Sequence, residues 1–112
     1  MQFQLIRADD SVTVVALAGR LDVDGVQRLQ DQFTFAIVPR GKPTVVDLTG
    51  VEFLASLGIG MLVSVARALK AQQAPLVVFG ASPMVKKTIT SSGVDRVIPV
   101  MGTLDEAMKL FA

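Results

Sequence analysis

The apolar positions along the chain change period several times, and each change marks an element. Phe3 and Leu5 alternate with polar neighbours as far as Arg7, and Asp9-Asp10-Ser11 reads as a turn. Val12 to Ala18 is β-branched and alternates at first, with Gly19 closing it, so the chain is expected to open on a β-hairpin. The period then lengthens. Val26, Leu29, Phe33 and Ile37 recur at helical spacing behind Asp24, a plausible N-cap, and Pro39-Arg40-Gly41-Lys42-Pro43 ends this first helix. Thr44 to Leu48 is short, β-branched and apolar, the pattern of a strand buried on both faces in a parallel sheet.

After Thr49-Gly50 the chain runs through Val51 to Ser56, and a second helix is predicted near Leu57 with Ser56 as its N-cap. It is apolar nearly all round until Arg67, which predicts burial of most of its length, and Gln72-Gln73-Ala74-Pro75 stops it. Leu76 to Gly80 is another strand of the buried type. Ser82-Pro83 is an N-cap followed by proline at the first helical position. Val85 and Ile89 give that helix its apolar face, and Gly93 its stop. Val97 to Val100 is a last strand, placed at an edge by Pro99. Thr103 and Glu106 form a capping box for a final helix with Leu104, Ala107 and Phe111 on one face.

The order β-β-α-β-α-β-α-β-α predicts an α/β fold: a mixed, largely parallel sheet with about four helices, headed by an antiparallel hairpin. No linker, internal repeat or low-complexity segment divides residues 1–112, which read as a single domain. Leu54 to Leu69 contains Ser56, Ser64, Arg67 and two glycines, and falls short of the roughly 18–20 apolar residues of a transmembrane segment.

Composition narrows the chemistry. Cysteine, histidine, tryptophan and tyrosine are all missing from the 112 residues. That excludes disulfides, thiolate or imidazole metal ligation, and His-assisted nucleophilic catalysis. No paired-carboxylate motif takes their place, so neither an enzyme, a metal site nor a cofactor is expected. The net charge of +1 and the dispersed basic residues offer no stripe for direct nucleic-acid binding. Lys86-Lys87 reads as the wet face of a short helix. The first residues lack the basic start and apolar run of a signal peptide, and with the missing cysteines this points to a cytoplasmic protein.

Gly58-Ile59-Gly60 is not a nucleotide fingerprint, because the third glycine is replaced by Val63 and no Walker lysine follows. Close packing of the second helix on the sheet explains these glycines instead. Met61, Met84, Met101 and Met108 are scattered as core or rim filler. Asp47, at the end of a buried-type strand, has no basic or metal partner in sequence and is expected to be structural.

Four pieces in this order resemble the STAS domain (sulphate transporter and anti-sigma factor antagonist). They are Ala18-Gly19-Arg20-Leu21-Asp22, Val45-Val46-Asp47-Leu48-Thr49-Gly50-Val51, Phe53-Leu54-Ala55-Ser56-Leu57-Gly58-Ile59-Gly60, and Ser82-Pro83-Met84-Val85-Lys86 followed by Ser92-Gly93-Val94-Asp95. The resemblance runs from about Val14 to Phe111. It implies a regulatory protein-binding domain whose partner is an anti-sigma factor that is also a serine kinase; binding it releases a sigma factor. In such antagonists the loop entering the second helix reads Asp-Ser-Ser/Thr-Gly, and the kinase phosphorylates the residue before glycine.

Here Ala55 replaces the aspartate, and Leu57, without a hydroxyl, occupies the acceptor position. The resemblance thus nominates Asp22, Asp24, Ser56, Leu57 and Gly58 as partner-binding, with Ser56 a displaced phosphorylation candidate. The ordinary alternatives are that Ser56 only caps its helix, and that Asp22 and Asp24 only stabilise the start of theirs. A second STAS role fits the missing acceptor: a subunit of a lipid-transport ABC complex, docked on the transporter's ATPase subunit.

Overall fold

A computed structural model describes residues 2–111. Its strands are β1 (Gln2–Ala8), β2 (Thr13–Leu21), β3 (Thr44–Leu54), β4 (Leu76–Phe79) and β5 (Val100–Met101). Its helices are α1 (Val23–Ile37), α2 (Ser56–Lys70), α3 (Pro83–Ser91) and α4 (Leu104–Lys109). The strands lie side by side in sequence order in a single sheet. β1 and β2 are antiparallel, and the remaining neighbours are parallel.

The hairpin turn is tied by one carboxylate. Asp9 Oδ1 accepts from the Ser11 backbone N–H (2.8 Å), the Ser11 hydroxyl (2.6 Å) and the Val12 N–H (3.0 Å), while Arg7 Nε donates to Oδ2 (2.6 Å). These bonds, that from the Ser11 hydroxyl foremost, hold the Asp9 carboxyl well below the usual carboxylate range.

The continuous apolar runs are continuous because both sheet faces are covered. Val15, Val46 and Val78 face the larger core, closed by Leu29, Phe33 and Ile37 of α1, Leu62, Val65 and Leu69 of α2, and Val85 and Ile89 of α3. Their neighbours Val14, Val45 and Val77 face the other way, against Ala107 of α4 and the half-buried Phe79, Met101, Met108 and Phe111. Phe3 of the hairpin meets the buried Phe33 edge-on, with ring centroids 6.3 Å apart.

Several boundaries differ from the sequence pattern, each for a local reason. β2 does not close at Gly19, and β3 does not stop at Leu48. Gly19 takes a left-handed φ of 95° and the ladder slips there, yet the strands stay paired as far as Leu21 and Leu54. Gly50 permits this close pairing, because a Cβ on it would lie 2.9 Å from the Cβ of Ala18. The last strand is shorter and later than Val97–Val100. The N–H groups of Val97 and Ile98 both donate to the Val94 carbonyl, closing a 3-10 turn over Val94–Arg96, so they cannot join the ladder. β5 is nonetheless the edge that Pro99 implied.

Ser82 caps α3 through the Val85 N–H (3.3 Å), and Thr103 caps α4 through the Glu106 N–H (3.2 Å). Leu104, assigned to the buried face of the last helix, is instead 40% exposed in its first turn. Asp47 accepts from the Thr49 N–H (2.8 Å), the local structural role expected of it.

Candidate functional site

The extension of β2 and β3 builds the site, because it carries two helix starts to one end of the sheet. Leu21 pairs with Leu54, and the Ala55 N–H donates to the Leu21 carbonyl (3.0 Å). The chain leaves β2 into α1 through Asp22, and leaves β3 into α2 through Ala55. Asp22, Asp24, Ser56, Leu57 and Gly58, distant in sequence, therefore stand at adjoining helix N-termini.

The caps are not where the sequence placed them. Asp22, not Asp24, is the N-cap of α1: its Oδ1 accepts from the Gly25 N–H (2.9 Å), and its carbonyl accepts from Val26 (2.9 Å). Asp24 lies in the first turn and is exposed, where its charge complements the positive helix end. Ser56 is not a cap at all. Ala55 holds that position in extended conformation, no side chain caps α2, and Ser56 is the first helical residue and exposed. The hydroxyl is thus free of the capping duty that was its ordinary explanation.

Gly58 is required for packing. A Cβ there would stand 2.8 Å from Leu54 Cδ1 and 3.1 Å from both Cβ and O of Leu21. Gly60 is not: a Cβ on it meets nothing within 4 Å, and the residue is exposed. Close packing on the sheet accounts for the first glycine of the pair and fails for the second.

The apolar content of the surface is carried by Leu57, 46% exposed, and by Val23, 56% exposed. Val23 escapes a sequence reading because it lies three residues before the buried Val26, in phase with the apolar face of α1. As the first residue of the helix it is left uncovered. Beside them, a shallow cleft of about 310 Å³ is lined by Arg20, Asp22, Asp24, Arg28, Glu52 and the two glycines Gly19 and Gly25. Arg20 stacks its guanidinium 4.5 Å from the Phe53 ring centroid and reaches Asp22 at 3.6 Å. This end of the sheet therefore offers two exposed apolar side chains at helix starts together with a cleft of mixed charge. Among the described residues no cluster of acidic groups is arranged to hold a metal ion.

The Asp22 carboxyl is held below the ordinary carboxylate range. The Gly25 N–H is the main cause; partial desolvation opposes it, and the Arg20 charge adds to it. A carboxyl depressed on folding stabilises the protein above its unfolded pKa, and that contribution is lost as pH falls through the folded value. Asn is an equally good cap but does not titrate. Between about pH 5 and pH 2 the wild-type urea midpoint should consequently fall further than that of Asp22→Asn. Parallel falls for the two proteins would show that the capping bond does not favour the ionised form.

These features describe an α/β domain whose candidate site lies at two adjoining helix starts, and the chain belongs to the STAS domain family. A family model described as "Mlab, STAS domain" matches residues 5–102. Among curated proteins the chain is similar to the anti-sigma F factor antagonist of Lysinibacillus sphaericus, 29% identical over 94 residues that cover 83% of this chain and 80% of that one. Among solved structures it is similar to an anti-sigma factor antagonist from Mycobacterium paratuberculosis, with a TM-score of 0.83 and 28% identity over 98% of this chain and 94% of that one. It is also similar to the antagonist SpoIIAA in its unphosphorylated form, with a TM-score of 0.79 and 25% identity over 96% of this chain and 93% of that one. No helix among the described residues is long and apolar enough to cross a membrane.

Proposed function

We propose that the protein is a cytoplasmic anti-sigma factor antagonist that acts by binding, and that its partner is an anti-sigma factor with serine kinase activity, whose capture frees a sigma factor. The observation that carries this reading is Leu57: a half-exposed leucine in the first turn of α2, beside Val23 and the carboxylates of Asp22 and Asp24. Apolar side chains ringed by charge are the anatomy of a protein interface. Asp22, Asp24, Ser56 and Leu57 form the contact, and the buried Gly58, nominated with them by the resemblance, acts behind it by setting how closely α2 approaches the sheet.

Leu57 has a consequence for regulation. A phosphate carries roughly −1.5 to −2 charges, enough to disrupt an interface packed for a neutral group. No phosphate can be placed on Leu57, so the usual switch point is locked in the binding-competent chemistry. Ser56, uncapped and exposed, is the one hydroxyl beside it that a partner kinase can modify. Incubating the protein with its captured kinase and ATP, then mapping phosphate by mass spectrometry, tests this; an unmodified Ser56 rejects it.

The same leucine favours a second reading, in which the domain is a constitutive subunit docked on the ATPase of a lipid-transport ABC complex. Affinity purification of a tagged copy from the native host, with mass spectrometry of the bound proteins, separates the two. An ATP-binding anti-sigma kinase supports the antagonist role, and a transporter ATPase replaces it with the second. Recovery of neither defeats both.

Gly60 supplies a further test. An exposed glycine inside a helix costs about 0.5–1 kcal/mol relative to alanine, and the fold gains nothing from it here. It lies one turn from Leu57, where a bare backbone lets a partner come close. Gly60→Ala should therefore raise the urea midpoint by an amount equivalent to about 0.5–1 kcal/mol while weakening partner binding about tenfold. Unchanged affinity in isothermal titration would remove this turn of α2 from the interface.

A further inference from the structure

At the opposite end of α2 a second concavity is built from different chemistry. It has a volume of about 540 Å³, within the usual range of small-molecule sites. Its base is apolar and buried: Ala66 of α2, Ala74 of the following turn and Leu76 at the start of β4. Its rim carries Arg67 and Lys70 from α2 and Arg96 from the 3-10 turn before β5, and no carboxylate lines it. Among the described residues the ion pairs are made by Arg7 and Arg20, and none of these three cations is in one.

Complementing the C-terminal end of α2 explains Arg67 and Lys70. It does not explain why Arg96 arrives from another segment to the same rim, nor why Val97 beside it is left 52% exposed on the wall. The frame is also preorganised. The N–H groups of Gln73 and Ala74 donate to the carbonyls of Lys70 and Leu69, both at 2.9 Å. Val97 is fixed on the other side by its bond to Val94 (2.9 Å). Gln73, on the wall, is the one non-glycine among the described residues with a left-handed backbone (φ 62°), and with the Gln73 and Ala74 bonds it closes the C-terminal end of α2.

We propose that this cleft binds a small amphiphilic organic anion, its apolar body against Ala66, Ala74, Leu76 and Val97 and its phosphate or carboxylate head on Arg67, Lys70 and Arg96. Charge decides the class: three cations around an apolar base repel a cationic ligand and hold an anionic head more strongly than a neutral acceptor. The site is distinct from the helix-start surface. Ala66 to Lys70 stand nine to thirteen residues along α2 from Leu57, which at 1.5 Å rise each separates the two by about 14–20 Å.

Phenyl phosphate is the probe, titrated into isotope-labelled protein and followed by amide NMR shifts, with phenol and inorganic phosphate as its separate halves. Saturable shifts centred on Arg67 to Ala74 and Arg96 to Val97 are expected, with each half binding more weakly than the whole. The double variant Arg67→Gln/Arg96→Gln, at exposed positions, should keep a dispersed spectrum and bind phenyl phosphate at least about tenfold more weakly. Leu57→Asp should bind it as the wild type does, which separates this site from the partner surface. Absent or scattered shifts, inorganic phosphate binding as tightly as the ester, or a double variant with unchanged affinity would each overturn the proposal.

Discussion

Gly25→Ala should be among the most damaging single-methyl additions in the protein, costing about 2–4 kcal/mol and lowering Tm by about 10–20 °C. A Cβ at this position would lie 2.2 Å from the carbonyl oxygen of Arg20 and 3.3 Å from its carbonyl carbon. Both are backbone atoms near the end of β2, so no rotamer change relieves the clash. The first turn of α1 would have to lift from the strand, lengthening the 2.9 Å bond from the Gly25 N–H to Asp22, a cap worth about 1 kcal/mol. Since domains of this kind have about 5–15 kcal/mol of total stability, the loss is a large share of it. Urea denaturation measures it as a lower midpoint at constant slope. Gly60→Ala, in the same assay, should move the other way. A Gly25→Ala protein within about 0.5 kcal/mol of wild type would mean that the start of α1 has room the structure does not give it.

That contrast between two glycines shows where sequence reasoning stops. The element order is legible because period is a local property: Val26, Leu29, Phe33 and Ile37 can face a core only as a helix, and Thr44 to Leu48 only as a buried strand. Which glycine is jammed and which is open depends on what lies across from it, and Arg20 O and Leu21 Cβ belong to another element. The same holds for the caps. Asp22 and Asp24 both offer a carboxylate within reach of a helix start, and the extended backbone of Asp22 makes it the cap. Ser56 was the natural cap by residue type, yet β3 runs on to Leu54 and the helix begins immediately after Ala55.

The candidate surface was named from the resemblance rather than from pattern, and the parts it missed are informative. Val23 is in phase with the buried face of α1, so no periodicity flags it as exposed. The Arg20–Phe53 stack forms because Arg20 and Phe53 are register partners across β2 and β3, beyond the Thr44–Leu48 stretch that the sequence pattern marks as strand. The long-range strand pairing that assembles the surface is the feature least visible along a chain, because it depends on two segments meeting rather than on either alone.

The largest effect on function is expected from a charge at Leu57. An acid in the first turn of a helix is compatible with the positive helix end, and α2 has none there. Leu57→Asp should therefore leave the urea midpoint within about 0.5 kcal/mol of wild type or raise it slightly. Binding should respond very differently. The interface loses an apolar contact worth about 1–2 kcal/mol and gains a carboxylate that must be desolvated without a partner, a further cost of several kcal/mol. Together these predict at least about a hundredfold weaker affinity for the captured partner, read by isothermal titration. Phe35→Ser is the control: that residue is more exposed than Leu57 but lies in the last turn of α1, away from the helix starts, and its loss should leave affinity unchanged. If Leu57→Asp binds as wild type does, the helix-start surface is not the interface, whichever partner is captured. If Phe35→Ser is the variant that fails, the partner occupies the far end of α1 instead. Loss at Leu57 alone would fix the contact to the first turn of α2 and leave Ser56 as the neighbouring hydroxyl through which a kinase partner could reverse its own capture.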